Sequence, residues 1–373
     1  MKKILFLTGT RADFGKLKSL IQVVHDSMEF AYGIFATGMH LSEKHGLTVI
    51  EIEKCGFKNI HRFDNATSEA TMDLTLAKTI EGFSAFVKQE NPDLIIVHGD
   101  RVEALAGAIV GSLNNILVGH IEGGEISGTV DELIRHSVTK LCHVHFVYNE
   151  TAAKRLVQMG ERESSIFEIG SPDLDVLFDK NLPSLETVKN YYEIPFKQYS
   201  VVLYHPVTTD FSNSKKHANT FVKTLLGDDG NYVVVYPNND LGSTQILEAY
   251  EQLKNNGRFK IFPSLRFEYF ITLLRNADFL IGNSSAGIHE APYLGVASIN
   301  IGRRQENRDI ETSSILHADN VEAEIKAAIE KARKMEVEAK EIKSSEKASS
   351  AFLKVLNNDT LWAIDHQKQF RDI

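Results

Sequence analysis

"NILVGHIEGGEISGTVDELIRHS" (115–137) runs from an apolar stretch through a turn rich in glycine and acids into a helical pattern. The apolar stretch is continuous rather than alternating, the mark of a strand buried on both faces and so of a parallel sheet layered with helices. The turn holds Glu122, Glu125, Asp131 and Glu132 beside three glycines, with Arg135 and His136 close behind. A surface loop has no need of that many carboxylates beside flexible backbone, and a core rejects them. In open α/β sheets such a turn, at the carboxyl end of a strand, is where ligands bind.

The same scheme recurs on both sides of this stretch. In the first half the runs are "KKILFLTG", "YGIFATG", "DLIIVHGD", "HVHFVYN" and "IFEIGSP". After the first of them Leu17, Leu20, Ile21 and Val24 keep the spacing of an amphipathic helix. The second half repeats it with "YSVVLYHPV", "YVVVYPNND", "FKIFPS", "ADFLIGNSS" and "ASINIG". Between the halves "SPDLDVLFDKNLPSLETVKNYYEIP" (171–195) has three prolines and no strand pattern, which suits a connector. The expected architecture is α/β, two doubly wound Rossmann-like domains facing across a cleft, 1–172 and 173–355, with a C-terminal helix at about 356–373 returning to the first. The Lys/Glu-rich stretch from Asn320 to Lys347 reads as a solvated helix face.

Bulk properties narrow the function. A chain of 373 residues exceeds one ordinary core, and 24% charged with 43% hydrophobic residues is the composition of a soluble globular protein. The net charge of −9 speaks against a broad nucleic-acid surface. Two cysteines, Cys55 and Cys142, make no disulfide framework or zinc motif. The apolar start breaks at Thr8-Gly9, too early for a signal-peptide core, and no later run reaches membrane-spanning length, so a cytoplasmic protein without membrane partners is expected.

Individual motifs add chemistry. "GTRADFGKL" (9–17) joins the first strand to the first helix; its glycines are spaced one residue too far apart for a Walker A loop, and Leu17 stands where a hydroxyl should meet magnesium. What remains is a turn at a helix start carrying Arg11, either an anion site or a tight turn with an exposed arginine. "IGNSSAGIHEAPYLG" (281–295) ends a strand at Gly282-Asn283, and its Ser284 and Ser285 precede a helical pattern, a setting for a pyrophosphate with Glu290 placed for a ribose diol. An N-cap serine with a solvent-facing glutamate is the plainer alternative. "HGDR" (98–101) and "HPVTTD" (205–210) place histidines at strand ends. "HVH" (143–145) offers two imidazoles on one face but no third ligand at metal spacing, so no metal is expected. Asp100, Glu122 and Asp131 stand out as three carboxylates at strand ends or loops, suited to proton transfer at carbon and to charge control as a leaving group departs. Asp131 could equally satisfy the start of "ELIRHSVTKL".

Taken together and in order, "TGTRADFGKLK", "HGDR", "HIEGGEISGTVDELIRHS", "HPVTTD", "YPNND" and "GNSSAGI" resemble the hydrolysing UDP-N-acetylglucosamine 2-epimerases of sialic-acid biosynthesis, over nearly the full length. The resemblance implies a GT-B type fold and cleavage of UDP-GlcNAc to UDP and N-acetylmannosamine, with no cofactor. Elimination of UDP would give a 2-acetamidoglucal, and water would then add with inversion at C2. Carried over, Asp100, Glu122 and Asp131 fall on the catalytic acids, and Arg11, Lys16, Arg101, His205, Asn238, Ser284, Ser285, Glu290 and Arg304 on substrate or UDP contacts. A homodimer is expected. His289 stands where the family usually has arginine and Arg303 where it has a small residue; the two could offset each other's charge or mark another sugar or nucleotide. Three other readings remain: a sister enzyme acting on a nucleotide-linked 2,4-diacetamido-2,4,6-trideoxy sugar toward legionaminic acid, a glycosyltransferase on the same scaffold, and a sugar-nucleotide-binding regulator.

Overall fold

The computed structural model describes every residue except 70, 307, 309–312, 342–345 and 372–373. The chain forms two compact units, Met1–Glu125 with Asp131–Phe178 and Ser344–Ile373, and Ile126–Val130 with Asp179–Lys343. The apolar runs of the first unit become β1 (Lys2–Thr8), β2 (Phe30–Ala36), β3 (Ile60–Arg62), β4 (Leu94–His98), β5 (Leu117–Ile121), β6 (Val144–Val147) and β7 (Ile166–Glu168). They pair in the order β3-β2-β1-β4-β5-β6-β7, all parallel. Every residue of β4, β5 and β6 is buried, as an apolar run without alternation requires.

The second unit is built from β8 (Ser200–Leu203), β9 (Tyr232–Val235), β10 (Phe259–Phe262), β11 (Phe279–Gly282), β12 (Ala297–Ile301) and β13 (Ile315–Ala318). Their order, β10-β9-β8-β11-β12-β13, is again parallel and is that of a dinucleotide-binding sheet. In each unit strand order reverses beside the first strand, between β1 and β4 and between β8 and β11. At those two points the connecting chains leave in opposite directions and open a crevice at the carboxyl ends.

The boundaries differ from the sequence expectation. The first unit runs on to Phe178 because the helix Pro172–Leu177 packs on the helix Arg11–Ser27. The Asp175 carboxylate then accepts from the backbone N–H groups of Ala348 and Ser349, both at 2.8 Å, so the returning chain is held on the first unit before residue 356. The returning helix is Ala348–Leu356, followed by one turn at Asp359–Trp362. It inserts Phe352 between the Phe6 and Phe146 rings, with centroids at 6.5 and 4.9 Å. The tip Ile126–Val130 groups with the second unit because Gly128 lies against the backbone of Arg303 and Arg304, where a Cβ would meet the Arg303 carbonyl at 2.5 Å. The helix Glu322–Ala332 is solvated on one face only; Ile325, Ala328, Ile329 and Ala332 are buried. Among the described residues no helix is long and apolar enough to cross a membrane.

Candidate active site

The carboxyl end of β1 turns into the helix Arg11–Ser27 through a capping box: the Thr10 hydroxyl accepts from Asp13 N–H at 3.2 Å and Asp13 accepts from Thr10 N–H at 3.2 Å. Burial pushes the Asp13 carboxyl up, against hydrogen bonds from Thr8 and from Gly9 N–H. Arg11 opens this helix and adds its charge to the burial that holds His40 down to about 3, so that ring is neutral. Lys16, one turn on, is 8% exposed and points its ammonium at two carboxylates, Asp173 at 3.2 Å and Glu122 at 3.6 Å.

Glu122 follows β5 directly and holds a left-handed backbone, φ 71°, rarely adopted by a residue with a Cβ. Its carboxylate is surrounded by donors: Arg135 Nη1 at 3.2 Å, His98 Nε2 at 3.0 Å, Tyr148 OH at 3.4 Å, and Lys16. Burial works to raise its pKa, but Lys16, Arg135 and the His98 hydrogen bond outweigh that and hold it well below the ordinary glutamate value. Arg135, on the helix Val130–Leu141, is wholly buried and forks between Glu122 and Asp100, which takes the other Nη. The Asp100 side chain is 21% exposed against 7% for Glu122, so Asp100 faces outward and Glu122 anchors the set from below. Asp131 sits, half-buried, in the first turn of that same helix. Arg101, next to Asp100 in the chain, pairs through Nε with Glu103 at 3.3 Å.

In the second unit Asn283 organises the equivalent point. Gly282, with φ 146°, ends β11 where a Cβ would come within 1.9 Å of the Leu203 carbonyl oxygen. The buried Asn283 amide then bridges to β8's continuation, accepting from His205 N–H at 2.6 Å and donating to His205 C=O at 2.8 Å. His205 Nδ1 accepts from Asn238 N–H at 3.1 Å, so in the neutral ring Nε2 carries the proton. The Asn283 carbonyl accepts from Gln305 Nε2 at 2.8 Å and Arg304 Nη1 at 3.3 Å. The Ser284 hydroxyl accepts from Ala286 N–H at 3.3 Å, Ser285 occupies the N-cap, and Glu290 is buried. His205 and Arg304 thus both meet Asn283, one at its side chain and one at its backbone carbonyl, Asn238 joins through His205, and Ser284 is next in the chain.

Some expectations need correcting. The helix after the paired serines is a single turn, Ala286–His289, because Pro292 follows too closely for a longer one. Any anion there would rest on hydroxyl and N–H groups more than on a helix dipole. His289 meets Arg308 Nη1 at 2.7 Å, not Arg303, which is exposed on the rim of a 490 Å³ cavity with Asn300, His317 and Asp319. His143 and His145 are separate: His143 Nε2 meets the His366 carbonyl at 3.0 Å, and His145 Nε2 meets Glu161 at 3.1 Å. Sequence reading passed over Tyr148, Asp173, Asn283 and Gln305. Only Asn283 left a signal, as the residue between a strand-ending glycine and two serines.

A family model described as UDP-N-acetylglucosamine 2-epimerase matches residues 22–357. The chain is 44% identical to the UDP-N-acetylglucosamine 2-epimerase of Neisseria meningitidis serogroup B, over all of both proteins. It is 35% identical to the UDP-N,N'-diacetylbacillosamine 2-epimerase (hydrolyzing) of Legionella pneumophila, over 83% of each. In fold it resembles the Methanocaldococcus jannaschii UDP-GlcNAc 2-epimerase crystallised with UDP-GlcNAc and UDP, with a TM-score of 0.81, 22% identity, and 96% and 99% of the two chains covered. On the strength of a model match spanning most of the sequence and a full-length relative, this chain belongs to the UDP-N-acetylglucosamine 2-epimerase family.

Proposed function

We propose that the chain is a hydrolysing 2-epimerase that converts UDP-GlcNAc and water into N-acetylmannosamine and UDP. The observation that carries this is the buried group in which Arg135 ties Glu122 to Asp100 at the ends of β5 and β4. In the first half-reaction a carboxylate takes the C2 proton, the C1–O bond breaks with its electron pair leaving on UDP, and a C1=C2 double bond remains. In the second, water gives a proton to a carboxylate as its oxygen bonds to C1, and a carboxylic acid delivers a proton to C2 from the opposite face. Both halves need groups that carry protons and a fixed field that steadies the charge moving onto the pyrophosphate.

The environments divide that labour. Glu122, held ionised by four donors, is a weak base and serves as the fixed charge that orients Arg135, Lys16 and His98. The more exposed Asp100 and Asp131 are the proton carriers. Ser284, Ser285, Arg304, His205, Asn238 and Glu290, all of the second unit, hold the nucleotide. Support for hydrolysis over nucleotide-retaining epimerisation comes from the Legionella relative, whose name carries that activity. The same Legionella name favours one second reading, a diacetamido-trideoxy sugar as substrate.

Incubation with UDP-GlcNAc alone in heavy water tests the proposal. UDP and free N-acetylmannosamine bearing deuterium at C2 are expected. UDP-linked product would mean epimerisation without hydrolysis, and retention of the original C2 hydrogen would remove the elimination route. Faster turnover of UDP-N,N'-diacetylbacillosamine in a parallel reaction would move the assignment to the second reading.

A further inference from the structure

From residue 364 to 371 the described chain is not helical, yet it is tightly held. His366 Nδ1 donates to the Asn115 carbonyl at 2.6 Å, and the His366 carbonyl is met by His143 Nε2 at 3.0 Å. Arg371 Nη1 donates to the Glu161 carbonyl at 3.1 Å. Lys368 reaches furthest in. Its ammonium donates to the Thr139 carbonyl at 2.9 Å and the Cys142 carbonyl at 2.7 Å, and it lies 2.5 Å from the Glu161 carboxylate. Glu161 is 1% exposed and also takes Lys140 at 2.8 Å and His145 at 3.1 Å. Burial would raise this carboxyl, but the His145 hydrogen bond and the two ammonium groups bring it down to about 2, a permanent anion that anchors the tail.

Thr139 belongs to the last turn of the helix Val130–Leu141, whose final carbonyls have no partner within the helix. A cation from the tail supplies one and offsets the negative end of the helix dipole. The opposite end of this helix carries Asp131, and Arg135 lies one turn before Thr139. The Thr139 hydroxyl also meets His120 Nδ1 at 3.2 Å, and His120 Nε2 meets the Gly99 carbonyl at 2.8 Å. A carbonyl can only accept, so His120 Nε2 is protonated and Nδ1 accepts from Thr139. Gly99 immediately precedes Asp100. One turn of helix therefore touches the tail on one side and, through the His120 ring, reaches the backbone before Asp100 on the other.

We propose that Lys368 is a positioning residue for the carboxylate group: by holding Thr139 and Cys142 it sets the helix that aims Arg135 and Asp131 and steadies the Gly99–Asp100 turn through His120. The catalytic consequence rests on the proposed function; the structural one does not. The test compares the full chain with Lys368→Met and Lys368→Arg, the latter keeping a charged donor. In Lys368→Met, kcat on UDP-GlcNAc falls about tenfold with KM nearly unchanged, and Lys368→Arg recovers most of the loss. Hydrogen exchange of amides 133–141 and 99–101 rises about tenfold in the Met variant, while the second unit exchanges as before. Wild-type exchange at both segments in a folded Met variant overturns the proposal, as does a uniform rise across the first unit with no rescue by arginine. A wild type that leaves UDP-GlcNAc untouched would sink the substrate assignment, and the exchange measurement would still decide the role of Lys368.

Discussion

A carboxylate that meets Lys16, His98, Arg135 and Tyr148 at once cannot be neutralised without leaving buried positive charge unbalanced. Glu122→Gln keeps the shape and removes the charge. Turnover is expected to drop on the order of a hundredfold or more, with UDP affinity by calorimetry little changed. A proportional loss of UDP binding would instead place Glu122 among the nucleotide contacts. Asp100→Asn should cost a similar factor but leave the first unit more stable than Glu122→Gln does, because Asp100 is partly in solvent and Glu122 is not. Denaturant midpoints of the two variants decide this. Glu122 and Asp100 stood out in the sequence as carboxylates beside glycines at strand ends, and the structure ties both to Arg135. Their other partners did not. Tyr148 follows β6 and Asp173 belongs to the helix Pro172–Leu177, and nothing local in either stretch announces that the fold sets Tyr148 on Glu122 and Asp173 on the Lys16 that Glu122 also meets.

At the scale of strands and turns, the continuous apolar runs carried most of the fold, because a strand buried on both faces admits few other residues. Lengths of connecting pieces were harder to read: "AGIHEAPYLG" has helical composition, yet Pro292 and the left-handed Gly295 cut it into single turns. The tail had no periodicity to read, because its order comes from side chains reaching elements far away in sequence. Two predictions belong here. Gly282→Ala forces a methyl group against the Leu203 carbonyl at the join of β8 and β11. It should destabilise the second unit by on the order of 3 kcal/mol, visible as a lower urea midpoint, while the first unit unfolds as before. Replacing Ser284 and Ser285 together by alanine should weaken UDP binding about tenfold to a hundredfold with little change in stability. Unaltered UDP affinity would release both serines from the nucleotide.

Across the whole molecule, buried histidines set the response to acid. His40 and His120 are held down to about 3, in each case chiefly by burial. Below pH 6.5 the unfolded chain binds protons that these folded rings refuse until about pH 3, so unfolding gains ground as pH falls through that window. Each ring contributes roughly 1.4 kcal/mol of lost stability per pH unit. Glu161, depressed to about 2, acts in the same direction lower down: its contribution is complete above about pH 4.5 and disappears between there and pH 2. The first unit should therefore hold its urea midpoint from pH 8 to 7 and lose it steadily from 6 to 4. Unfolding at pH 5 should take up at least about two protons per chain, measured by calorimetry in buffers of different ionisation heat. A flat midpoint across pH 6 to 4 would mean that these rings are protonated when folded.

Phe352, lodged between Phe6 and Phe146, has a further consequence for the order of events in time. A ribosome delivers β1 to β7 first, but the hydrophobic cluster they share also includes Leu356 and Leu361. The first unit made is thus the last completed: its sheet must wait, part of its apolar face uncovered, through the synthesis of the entire Asp179–Lys343 unit. Nascent chains halted near residue 340 should display that face to a hydrophobic dye and to chaperones, and lose it once residues 348–371 emerge.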